Sequence, residues 1–148
     1  MQSQRKIKRV EPLIKMKKAK VDEEAAVLNA IRMEKIEVVK AMKDNQKRYM
    51  EGVEELNRVR SSKTRQNIET LETALDYVKS KWAKLYTDVQ KIEMKEKAQI
   101  AHYLTAEREL KSVEKLQEKY VTEFKKELGK NEQKQMDEAA LRRFSRPS

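Results

Sequence analysis

The chain has 148 residues, 35 of them Lys or Arg against 25 Asp or Glu, for a formal charge of +10. Charged residues make up 41% and there are only 2 Gly and 2 Pro, so tight-turned strand folds and a thick globular core are excluded and long solvated helices are favoured. With 0 Cys, neither a disulfide framework nor a thiolate metal site can form, and no apolar run approaches a membrane-spanning length.

The basic opening segment runs into Lys15, Lys17, Lys18 and Lys20 instead of an apolar stretch, so no secretory signal is expected. Helix one is predicted over about 12–58, beginning at Pro12 because a proline lacks the N–H that would go unpaired in a first turn, with Glu11 suited to that end. Its seam reads Ile14, Val21, Leu28, Lys35, Met42, Tyr49 and Leu56 at steps of seven, with a looser second line at Ala25, Ile31, Val38, Val39, Val53 and Val59. Gly52 inside this helix costs about 1 kcal/mol relative to Ala, which a long packed helix absorbs. A turn is predicted over about 59–67, where Arg60, Ser61, Ser62, Lys63, Thr64, Arg65, Gln66 and Asn67 replace the apolar period with polar cap formers.

Helix two, predicted over about 68–128, carries the clearest signal in the chain. From Ile68 to Phe124 a seam residue falls at alternating steps of three and four, and fourteen of its seventeen positions are apolar, the exceptions being Glu96, Gln99 and Gln117. A period of 3.5 residues keeps one stripe facing a partner as two helices wind together, and a random polar sequence would not sustain it. Glu96 and Gln99 loosen the stripe midway while fixing register or permitting a bend. Gly129 is expected to cap or kink the helix, leaving a C-terminal extension over 129–148 with Met136, Ala140, Leu141 and Phe144 near one face, released by Arg146, Pro147 and Ser148. The predicted fold is all-α: one long antiparallel two-helix coiled coil, a helical hairpin, with a short C-terminal helical extension.

The charge is segregated. Residues 1–20 carry eight basic side chains against Glu11, residues 125–148 carry seven against four acids, and residues 21–124 balance at twenty each. In an antiparallel hairpin residues 1–20 lie beside roughly residues 104–124 and residues 125–148 overhang, so both basic termini share one tip. A neutral shaft with a basic tip points to a partner met end on, with Arg5, Lys6, Lys8, Arg9, Arg142 and Arg143 as the candidate contacts. No catalytic constellation appears: His102 is the single histidine, and Gly52 and Gly129 lie too far apart for a phosphate loop, so no enzyme, cofactor, metal or small-molecule substrate is expected. Acidic and basic residues are expected to pair locally, as Asp44 with Arg48, Glu54 with Arg58, Glu93 with Lys97 and Glu107 with Lys111. Trp82, Tyr103, Tyr120 and Phe124 fall on the seam, whereas Tyr77 and Tyr86 lie off it and are better placed for an exposed contact.

Three stretches resemble the flagellar FliJ family, the small coiled-coil stalk proteins of the type III export apparatus with relatives of the injectisome YscO type. They are Val10-Glu11-Pro12-Leu13-Ile14-Lys15-Met16-Lys17; Asp44-Asn45-Gln46-Lys47-Arg48-Tyr49 with Ile68-Glu69-Thr70-Leu71-Glu72-Thr73-Ala74-Leu75; and Glu132-Gln133-Lys134-Gln135-Met136-Asp137-Glu138-Ala139-Ala140. The resemblance implies a nonenzymatic stalk and escort protein whose paired termini enter a hexameric export ATPase, with further contacts to an export gate protein and to export substrate chaperones. It implies a cytoplasmic protein, peripheral to the inner-membrane export apparatus and monomeric in isolation. The family's gate-binding patch falls on Met42, Tyr49, Leu71 and Ala74, with Asn45 and Asn67 standing where the family shows aromatics. On the residues alone two other readings stay open: a basic coiled-coil spacer that binds nucleic acid or an anionic membrane, and a plain dimeric structural coiled coil.

Overall fold

A computed structural model describes residues 2–62 and 68–145, which form two α-helices, α1 (Gln2–Ser61) and α2 (Ile68–Ser145), with no strand among them. The helices run antiparallel, as the hairpin reading requires: positions ascending on α1 meet positions descending on α2. They form two compact units, Met1–Glu24 with Tyr103–Ser148 (the terminal unit) and Ala25–His102 (the turn-side unit).

The α2 seam is real along its whole length. Sixteen of its seventeen positions are buried or half-buried, and the exception, Trp82, is only 38% exposed. On α1 the line at Ile14, Val21, Leu28, Lys35, Met42, Tyr49 and Leu56 is likewise turned inward, with Tyr49 the one exposed member at 37%. The second α1 line is not the apolar one the sequence suggests. It runs through Ser3, Val10, Lys17, Glu24, Ile31, Val38, Asn45, Gly52 and Val59, all buried or half-buried. Ala25, Val39 and Val53 only flank it. α2 answers Ser3, Lys17 and Asn45 directly, and Glu24 pairs along α1 with Lys20 at 3.0 Å.

In the terminal unit the Ser3 hydroxyl, 1% exposed, donates to Glu127 Oε1 at 2.6 Å, Lys6 Nζ sits 5.3 Å from the centre of the Tyr120 ring, and Lys17 Nζ reaches Glu109 at 3.0 Å. In the turn-side unit Lys35 Nζ lies between Glu93 (3.8 Å) and Glu96 (3.4 Å), Arg32 approaches Glu96 at 3.6 Å, and Arg60 meets Glu72 at 2.8 Å. The Asn45 Nδ2 donates to the Val78 carbonyl at 2.9 Å, and Gly52 gives the space that Leu75 fills. The apolar share of the core is Val10, Ile14, Leu28, Leu56, Val89, Ile92 and Ala106. Among the described residues no buried side-chain nitrogen or oxygen lacks a partner, which removes the main penalty of burying polar groups.

Four expectations are corrected. First, α1 begins at Gln2 and contains Pro12 instead of starting there. An interior proline removes one helix hydrogen bond and crowds the carbonyl four residues back, at a cost of about 3 kcal/mol. Pro12 is exposed, so water can solvate that carbonyl, and the seam contacts of Ser3, Ile7 and Val10 hold the turns before it. Second, α2 does not end at Gly129 but continues to Ser145. Gly129 takes no positive φ, and the strong helix formers around it, Lys126, Glu127, Lys130 and Glu132 among them, carry the helix through. Third, Leu141 does not share the groove formed by Met136, Ala139, Ala140, Arg143 and Phe144, because at about 100° per residue it stands roughly 140° around the helix from Met136. Fourth, Arg58 pairs with Glu55 at i,i+3 (2.6 Å) instead of Glu54, and Glu93 is directed across the interface to Lys35 instead of along its own helix to Lys97.

α1 continues through Ser61, and the Ser62 N–H closes on the Arg58 and Val59 carbonyls, both at 3.2 Å. The serine hydroxyls also bind there, Ser61 to Arg58 O and Ser62 to Val59 O, both at 2.9 Å. The rest of the expected turn, Lys63, Thr64, Arg65, Gln66 and Asn67, lies outside the described residues, as do Met1, Arg146, Pro147 and Ser148.

Candidate functional site

The candidate surfaces are what remains once the seam is accounted for. In the terminal unit Arg5, Lys6, Lys8 and Arg9 are exposed on α1, and Arg5, Lys6 and Arg9 line a shallow groove of about 240 Å³ with Gln2. The inward neighbours Ser3, Ile7 and Val10 fix the helical phase, so Arg5, Lys8 and Arg9 are left to solvent and Lys6 lies at the edge of the pair, exposed but reaching α2. Only Lys6 has a defined aromatic neighbour, the Tyr120 ring.

Arg142 and Arg143 occupy the last turn of α2, where cations also complement the helix dipole. They are not brought to the N-terminal cluster. Lys6 lies beside Tyr120, and Arg142 is twenty-two residues farther along an unbroken helix, about 33 Å at 1.5 Å per residue. The six cations therefore form two stations, not one tip. Every residue from Leu128 to Ser145 is exposed, and Phe144 is 92% exposed beside Arg143 in a groove of about 500 Å³.

In the turn-side unit, Met42 and Leu71 are half-buried on the seam, Tyr49 is at the edge of exposure and Ala74 is exposed. Tyr49 shares a groove of about 260 Å³ with Gln46, Lys79 and Trp82, not with Leu71 or Ala74. Asn45 is buried on the seam, and Asn67 lies outside the described residues. Trp82, expected to pack on the seam, sits at the seam's edge at 38% exposure, stacked on Tyr86 with centroids 5.3 Å apart and planes 14° apart, while the Asn45 amide takes the Val78 carbonyl one turn before it. A further groove, about 640 Å³, runs over Ile36, Val39, Lys40 and Lys43 beside Arg32, Lys35 and Glu96; charge holds the seam there while Ile36 is 67% exposed.

Among the described residues of the terminal unit, Lys20 and Tyr103 have pKa values raised above their ordinary ones. Lys20 is raised by its hydrogen bond to Glu24 and by the charges of Glu23 and Glu24, and Tyr103 is raised by its hydrogen bond to Glu107 and by that carboxylate's charge. Neither belongs to a catalytic arrangement. His102 is exposed, and among the described residues no group of three or more His, Cys, Asp or Glu side chains could hold a metal ion. None of their helices is long and apolar enough to cross a membrane.

No curated protein and no solved structure matches the chain. The model of the family described as flagellar FliJ protein matches residues 6–148, nearly the full length, and the antiparallel helix pair with its inward seam and outward basic termini is consistent with it. The chain belongs to the FliJ family of flagellar export-related proteins.

Proposed function

We propose that the protein is a nonenzymatic stalk and escort component of the flagellar type III export apparatus, engaging the hexameric export ATPase through its terminal unit. The observation that carries the reading is the outward display of Arg5, Lys6, Lys8 and Arg9 on a helix whose other face is committed to the seam. Surface cations held at fixed spacing suit an acidic or carbonyl-rich partner surface and give salt-dependent association. The overhanging segment of α2 adds Arg142, Arg143 and Phe144 as a second point of contact. The aromatic groove at Tyr49 and Trp82 suits the gate contact better than a patch reaching Leu71 and Ala74. Substrate chaperones are the third class of partner, and the motor's catalytic residues belong to the ATPase.

The test is ATP turnover by the purified export ATPase with the full-length chain added across a salt series. Reversal of Arg5, Lys6, Lys8 and Arg9 to Glu is expected to abolish stimulation while leaving helicity and the melting transition nearly unchanged. Stimulation that survives the reversal at moderate salt overturns the reading.

A further inference from the structure

The ion pairs between the helices share a sense that their strength does not explain. Among the described residues five salt bridges cross from α1 to α2, and in each the cation is on α1 and the carboxylate on α2: Lys17 with Glu109, Arg32 with Glu96, Lys35 with Glu93 and with Glu96, and Arg60 with Glu72. Their side chains are mostly a fifth to a half exposed, so each adds little net stability. Their cumulative effect is on choice of partner, since a wrong pairing juxtaposes like charges at several positions at once.

We infer that this one-way ionic polarity makes α1 and α2 obligate partners of unlike kind, pairing α1 with α2 and rejecting the homotypic contacts that their seams would otherwise allow. The need is greatest for α2. A helix with fourteen apolar positions in a seam of seventeen is a strong candidate for self-association. In register and parallel, however, two α2 helices set Glu96 against the Glu96 of a second copy, and two α1 helices set Lys17 against Lys17 and Lys35 against Lys35. Register is held by two further devices in the turn-side unit. The Asn45 amide reaches the Val78 carbonyl at 2.9 Å, and a Cβ built on Gly52 would lie 2.5 Å from Leu75 Cδ2. A slip of seven residues sets Leu75 against Asn45 or Val59, where a side chain already occupies the notch.

Two complementary full-length variants test this. In the first, Lys17→Glu, Arg32→Glu, Lys35→Glu and Arg60→Glu make both helix edges acidic; in the second, Glu72→Lys, Glu93→Lys, Glu96→Lys and Glu109→Lys make both basic. Each alone is expected to melt well below wild type. Heated together and cooled, they are expected to form a one-to-one heterodimer by exchanging helices, seen as twice the wild-type reference mass in native mass spectrometry or sedimentation. A chain carrying all eight substitutions restores opposite edges and is expected to recover the wild-type mass and most of the lost melting temperature. The inference is overturned if the two variants keep the wild-type melting temperature, if they stay separate on mixing despite being destabilised, or if the eightfold chain fails to recover.

Discussion

Gly52→Ala sets helix propensity against packing, and the structure decides which wins. In a helix interior the change from Gly to Ala is worth about 1 kcal/mol in favour of the helix. The new Cβ would stand 2.5 Å from Leu75 Cδ2 and 3.5 Å from its Cγ, so the Leu75 methyl must retreat by roughly 1 Å to reach an ordinary carbon contact of about 3.5–4.0 Å. Overpacking of this kind costs about 1–3 kcal/mol. Leu75 is half-buried and can yield at its tip, so the expected net effect is a loss of up to about 2 kcal/mol, or up to about 8 °C in Tm at this chain length. Gly129→Ala is the internal control: a Cβ there meets nothing within 4 Å, so propensity acts alone and helicity near the C-terminus rises. Urea melts followed by circular dichroism and by the fluorescence of Trp82 read both variants. If Gly52→Ala stabilises as much as propensity alone allows, about 1 kcal/mol, then Leu75 does not seat on Gly52 and the register argued above is wrong.

Ser3→Ala removes a part-buried hydroxyl from a charged acceptor and is expected to cost about 1.5–3 kcal/mol of local stability, read as faster hydrogen exchange at residues 2–10 with the turn-side unit unchanged. Asn45→Ala takes away the bond to the Val78 carbonyl and is expected to cost about 1 kcal/mol in urea melts, with a change in Trp82 emission. Pro12→Ala restores a helix hydrogen bond and is expected to raise helicity and Tm; a lower Tm would mean that the proline holds a bend the hairpin needs. Lys20 and Tyr103 both have folded pKa values raised above the ordinary values of 10.5 and 10.0, so their contribution is complete at neutral pH and is lost as pH rises through the folded values. The part of the stability that these two groups supply is therefore level below about pH 10 and falls above it, and Tyr103→Phe should remove part of that alkaline fall.

The α2 seam was legible because its apolar residues carry the period almost unbroken, from Ile68 to Phe124. Half of the α1 seam was not, because Ser3, Lys17, Glu24, Asn45 and Gly52 stand on it, and hydropathy alone moved the line onto the flanking Ala25, Val39 and Val53. Such positions become readable only with the opposing helix in hand: Glu127 explains Ser3, Glu109 explains Lys17, the Val78 carbonyl explains Asn45 and Leu75 explains Gly52. Pro12 and Gly129 misled for a related reason. Each is a punctuation residue whose local cost of about 1–3 kcal/mol is smaller than what a long helix gains from the turns on either side. The basic candidate residues were legible from charge counts, but their division into two stations was not, since it depends on α2 continuing through Gly129. The seam position of Trp82 was legible from the period; its 38% exposure and its stacking on Tyr86 were not.

The central proposal, that the terminal unit engages the hexameric export ATPase, is tested most directly by site-specific photocrosslinking to that ATPase. Crosslinkers at Arg5, Arg9, Arg142 and Phe144, and for comparison at Ile36 and Tyr77 in the turn-side unit, probe each surface in the full-length chain. The account predicts ATPase adducts from the terminal-unit positions that weaken as salt is raised. Adducts confined to Ile36 and Tyr77, with none from Arg5, Arg9, Arg142 or Phe144, would contradict it.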